Sequence, residues 1–127
     1  MSKQCICGSS QLFDACCGPL LSGEKKAPTA ERLMRSRFSA FATGNCEYLL
    51  QTWDPNTVPD SLELDPETTF ESLHIVDTHK GGLFDDQGVV EFIARYDHDG
   101  TKGSQHERSF FRRLNGAWVY TSGIVNT

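Results

Sequence analysis

Phe110-Phe111-Arg112-Arg113-Leu114-Asn115-Gly116-Ala117-Trp118-Val119-Tyr120 is the stretch whose reading decides the fold. Two strand-like runs, residues 104–114 and 117–125, flank Asn115-Gly116. A two-residue hairpin turn needs positive φ at both central positions, and Asn-Gly supplies it at low cost. Upstream, Val89-Val90-Glu91-Phe92-Ile93-Ala94-Arg95-Tyr96 is a β-rich run that follows the Asp85-Asp86-Gln87-Gly88 turn. A further strand is expected around Leu73–Thr78, giving at least four antiparallel strands.

Before residue 68 the period is helical. Thr29 is placed to cap, Glu31 falls in the first turn, and Ala30, Leu33, Met34, Arg37, Phe38 and Phe41 recur at three- and four-residue steps. Gly44 fits the stop position of this helix over 29–43. Asn45 caps a second, shorter helix through Cys46, Tyr48, Leu49, Leu50 and Trp53, which Asp54-Pro55 ends. Helices first and a meander afterwards define an α+β domain with the helices on one face of the sheet.

The chain has 127 residues, room for one ordinary domain and a small appendage. No apolar run is long enough to span a bilayer, and Met1-Ser2-Lys3-Gln4-Cys5 opens no apolar leader, so a cytoplasmic location is expected. The net charge of −5 argues against broad nucleic-acid binding. It hides an asymmetry: residues 1–37 carry +3, and the remainder −8. Nine acids and a single base, Lys80, lie between Asp54 and Asp86, read as a solvated, loop-rich surface.

Four of the five cysteines fall in the first seventeen residues, as Cys5-Ile6-Cys7 and Cys16-Cys17. Between them Leu12 and Phe13 are the only bulky apolar residues, too little to fold this segment by burial. A metal staple answers that need. Zn²⁺ takes four tetrahedral ligands, a full Cys₄ set leaves no open catalytic position, and binding yields about 10–16 kcal/mol. Lys3, Lys25 and Lys26 are the nearby bases expected to offset the thiolate charge. The alternatives are disulfides, strained between adjacent Cys16 and Cys17 and disfavoured in a reducing compartment, or free thiols. Cys46 reads as a buried small hydrophobe. The expected division is a knuckle over 1–22, a short linker, and an α+β domain over 28–127.

The Cys5-Ile6-Cys7-Gly8-Ser9 start, the eight residues before Cys16 and the following Cys17 resemble the SEC-C motif, a zinc-binding element. Gly23-Glu24, Ala27-Pro28-Thr29-Ala30, Leu33-Met34-Arg35-Ser36-Arg37-Phe38-Ser39-Ala40-Phe41 and Tyr48-Leu49-Leu50-Gln51-Thr52-Trp53 are similar to the bacterial YchJ family. Glu107-Arg108-Ser109, Phe111 and Gly116-Ala117-Trp118 carry the likeness almost to the end. The chain departs from the usual motif at Ile6, where Pro is frequent, at Ser10, and at Phe13-Asp14-Ala15 before the last pair. The resemblance implies one structural zinc on Cys5, Cys7, Cys16 and Cys17. It also implies a nuclear transport factor 2-like (cystatin-like) cone, its helices lying over a curved antiparallel sheet.

Such cones often enclose a pocket, so polar inward residues are of interest. Glu107 and Ser109 share a strand face with Phe111, and Glu107 needs a cationic partner, Arg35 or Arg37 of the long helix. This cluster reads as a buried ion pair locking helix to sheet, with a polar anchor in a ligand pocket as the functional reading. The aromatics Tyr48, Trp53 and Trp118 are read first as core and second as pocket wall. His74 and His79 flank Asp77 without forming a dyad, and no catalytic residue is assigned. The expectation is an adaptor whose knuckle docks a protein partner, the alternative a small-molecule binder or enzyme using the pocket.

Overall fold

The computed structural model describes residues 3–126; Met1, Ser2 and Thr127, at the outer ends of the two expected domains, lie outside the described residues. The order is a single 3-10 turn over Phe13–Ala15, helices α1 (Gly18–Leu21), α2 (Ala30–Thr43) and α3 (Cys46–Gln51), then strands β1 (Thr68–Lys80), β2 (Gln87–His98), β3 (Thr101–Leu114) and β4 (Ala117–Asn126). The strands form one antiparallel sheet in the order β1-β2-β3-β4. Register breaks at Phe70/Ser72 and Ile75/Asp77 in β1 and at Phe110/Phe111 in β3 bend it, giving the curved sheet on helices expected from the sequence.

Local signals explain most boundaries. Thr29 accepts a hydrogen bond from Arg32 N at 3.1 Å, and Gly44 closes α2 in the left-handed region. Asn45 caps α3 through Tyr48 N at 3.0 Å. That helix ends at Gln51, earlier than Trp53, because residues 52–54 pair with β4 instead. Tyr120 N donates to Thr52 O, and Asp54 N donates to Tyr120 O, each at 2.8 Å. Asn115 and Gly116 both take positive φ, as the hairpin requires.

The main core lies between α2 and the inner sheet face: Ala30, Leu33, Met34 and Phe38 meet Leu73, Val90, Phe92, Ala94, Phe111 and Trp118. A smaller cluster joins Leu20 of α1 to Ala40, Tyr48 and Leu49. A third is the cysteine cluster itself, with Phe13 and Leu21 against it. The N-terminal segment thus sits on the outer side of α2, and the sheet covers the inner side.

Candidate metal centre and inner cavity

The segment around the cysteines is shaped by short backbone links: Cys5 N to Gln11 O at 2.7 Å and Phe13 N to Lys3 O at 2.7 Å close the first loop. Leu20 N and Leu21 N both donate to Cys17 O, starting α1 directly after the cysteine pair. These turns bring the Sγ atoms of Cys5, Cys7, Cys16 and Cys17 within 4.8 Å of one another, all four residues buried. All are free thiols. Ligands 2.3 Å from a tetrahedral centre stand about 3.8 Å apart. Cys7 and Cys16 are 3.6 Å apart and Cys16 and Cys17 are 3.9 Å apart, so the donor set fits a metal ion bound by four sulfurs.

Proton sharing within the cluster points the same way. A hydrogen bond from Cys17 holds the Cys7 thiol far below the usual range, at about 4, despite burial. The same contact pushes Cys17 up, and burial pushes Cys16 up. One thiolate is comfortable in this pocket; Cys16 and Cys17 need a cation to ionise.

Helix α2 supplies the surrounding shell. Arg32 donates to Cys16 O at 3.2 Å and approaches its Sγ at 3.7 Å; Arg35 donates to Cys7 O at 2.6 Å. Ser39 Oγ lies 3.7 Å from Cys5 Sγ, and Ser9 Oγ 3.1 Å from Cys16 Sγ. The bases that bond to the knuckle are therefore Arg32 and Arg35, in place of the expected Lys3, Lys25 and Lys26. The lysines sit on flexible exposed stems, whereas both arginines are fixed by the helix that the knuckle covers. Arg35 also pairs with Glu31 at 3.0 Å, and it belongs to this centre.

On the other side of α2 a cavity of about 170 Å³ opens against the sheet, with Arg37, Trp53, Glu107 and Ser109 in its walls. The expected bond between Glu107 and an arginine is not made. Glu107 accepts from Gln105 Nε2 at 3.0 Å and from Ser109 Oγ at 2.5 Å, both on its own strand. Arg37 is held elsewhere: Nη1 donates to Leu49 O and to Thr52 Oγ1, each at 2.8 Å, and its guanidinium lies over the rings of Trp53 and Tyr120. Burial lowers its pKa to about 10, so it remains a cation. Tyr48 and Trp118 are placed away from this cavity. The Tyr48 hydroxyl shares a proton with Ser36 at 2.7 Å, and Trp118 Nε1 donates to Pro28 O at 3.2 Å.

A third polar feature joins α3 to the sheet. Asp54, buried, takes two hydrogen bonds from Arg112, at 2.5 and 2.9 Å, and one from Thr121 at 3.3 Å. Asp54 was legible only as the residue that ends a helix. His106 pairs with Glu91 at 2.6 Å, and His98 is half exposed beside Thr68 and Asp65.

A four-sulfur knuckle docked on the long helix of a helix-on-sheet domain defines a SEC-C protein with a nuclear transport factor 2-like domain. Residues 1–19 match the SEC-C motif, and residues 29–123 match the YchJ middle NTF2-like domain. The chain belongs to the YchJ family, whose curated members carry the name UPF0225. A UPF0225 protein of Corynebacterium glutamicum is 52% identical over 99% of this chain and 100% of its own length. One from Streptomyces coelicolor is 49% identical over 94% and 93%. The solution structure of a SEC-C motif containing protein from Rhodopseudomonas palustris superimposes with a TM-score of 0.86 at 36% identity, covering 98% of this chain and all of the other.

Proposed function

We propose that the four cysteines hold one structural Zn²⁺ and that the chain is a non-enzymatic adaptor. Its knuckle docks a protein partner in an export, ribosome-associated or quality-control setting. One observation supports this most: the four sulfurs are buried while two of the knuckle's apolar side chains, Ile6 and Leu12, stay exposed. Four buried sulfurs leave a metal no free position for substrate, which suits a structural ion. Ile6 and Leu12 remain exposed, beside a groove that Lys3, Gln4, Phe13 and Asp14 form with Ala42 and Thr43 at the end of α2. A motif that spends two of its few apolar side chains on solvent is built for contact. Four clustered, unbridged cysteines suit a reducing, cytoplasmic setting, and no helix among the described residues is long and apolar enough to cross a membrane.

A photoreactive amino acid at position 6, installed in the full chain in cells, tests this reading. A discrete protein adduct from position 6, absent from a control at exposed Ser104 and lost with Cys16→Ser, is expected. Equal labelling from both positions contradicts it.

A further inference from the structure

We infer that the cavity between α2 and the sheet is a binding site for a small, neutral, aromatic molecule bearing a carboxamide-like head. The inference does not rest on the adaptor reading or on the metal. Two opposite charges share the cavity without meeting. Arg37 spends a single guanidinium nitrogen on the protein, both of its hydrogen bonds leaving Nη1, and among the described residues no hydrogen bond engages Nε or Nη2. Glu107 is bonded along its own strand, yet near enough for its charge to favour the Arg37 cation. A buried cation with idle donors, sharing a cavity with a carboxylate it does not bond, is a poor arrangement for an empty protein, because those donors stay unsatisfied in a low-dielectric space. A group that accepts from Arg37 and donates to Glu107 completes it.

Charge sets the class of that group. A carboxylate head would be repelled by Glu107 and an ammonium by Arg37, whereas a neutral amide presents one acceptor and two donors. Trp53 lines the same wall with its ring, its Nε1 being buried away from the open space and without a hydrogen-bond partner. Apart from Gln105 and Ser109, the rest of the lining is apolar and largely aromatic, and Phe38, Phe70, Phe92 and Tyr120 offer ring faces and edges to a flat ring. Phe38 and Phe70 already meet edge-on at 5.7 Å. The volume of about 170 Å³ suits one ring, since an apolar cavity of about 150 Å³ admits benzene.

The test is a titration of the full-length, ¹⁵N-labelled protein with benzamide, benzoate and benzene, followed by NMR. For ligands of about nine heavy atoms or fewer, millimolar affinity is the scale expected. Benzamide is expected to shift the Trp53 indole N–H, the Gln105 side-chain amide and the Ala94 backbone amide. It should bind about tenfold more tightly than benzene or benzoate, the worth of one hydrogen bond to a charged group. Glu107→Gln should erode that preference. Equal affinity for all three probes would reduce the cavity to a generic apolar void and overturn the inference, as would unshifted cavity resonances with benzamide at saturation. Both outcomes are read on the unaltered chain, so neither depends on a variant folding.

Discussion

Arg32 leaves α2 toward the knuckle and bonds the backbone of a cysteine that offers its sulfur to the centre. Groups of this kind orient ligands, and losing one typically costs a metal site about 10–100-fold in affinity. Arg32→Ala should therefore weaken metal binding by about tenfold in a chelator competition, with the unfolding midpoint of the main domain little changed. Its role was within reach of the sequence. Arg32, Arg35 and Ser39 recur at three- and four-residue steps, a second, polar stripe on α2 that an apolar periodicity search passes over. Asp54 was harder to see, since its partner Arg112 lies 58 residues away. Hydrogen bonds from Arg112 hold the Asp54 carboxyl at about 2, below its usual 3.8. A depressed pKa contributes stability above the ordinary value and loses it as pH falls through the folded one. Thermal unfolding of the wild type should lose stability between about pH 4 and 2, and Asp54→Asn should lack that component while being less stable at neutral pH.

At the scale of elements, α2 carries the molecule by using two faces at once. Its apolar stripe, Leu33, Met34 and Phe38, was plain in the sequence and buries against the sheet. Its polar stripe anchors the knuckle. Strand β1 was half seen, at Leu73–Thr78, because it is an edge strand whose two register breaks interrupt the alternation and whose ends are polar. The short α1 was missed: Gly18-Pro19 reads as a turn, yet Pro is well tolerated in a first helical turn. Gly8 is where the knuckle touches this strand. It takes φ +83°, and a side chain there would place its Cβ 2.7 Å from Leu73 O. Gly8→Ala should cost about 1–3 kcal/mol and loosen the knuckle, seen as faster amide exchange around Arg35 and β1. Exchange identical to the wild type would show that the contact does not hold the knuckle.

For the whole molecule, the main core and the cysteine cluster, two of the three apolar clusters, separate what the knuckle supports from what it does not. The core of Ala30, Leu33, Phe38, Val90, Phe92, Phe111 and Trp118 lies on the sheet side of α2, with no cysteine in it. Among the described residues the apolar side chains packed against the cysteine cluster are Phe13 and Leu21, too little apolar area to hold nineteen residues in place without a metal. The architecture was legible because period and turn chemistry agree along the chain. The inner cavity was legible in part: Arg37, Trp53, Glu107 and Ser109 line it, but the expected bond from Glu107 to Arg35 or Arg37 is not made, because Arg37 turns toward Leu49 and Thr52 and Arg35 toward the knuckle. The central claim is the metal, and the most direct measurement of it is native mass spectrometry of the full chain, purified without chelator, followed by thiol alkylation. One zinc per chain is predicted, with Cys5, Cys7, Cys16 and Cys17 protected until the metal is stripped and half-buried Cys46 reactive throughout. A folded, metal-free chain whose four N-terminal thiols alkylate as readily as Cys46 would contradict it.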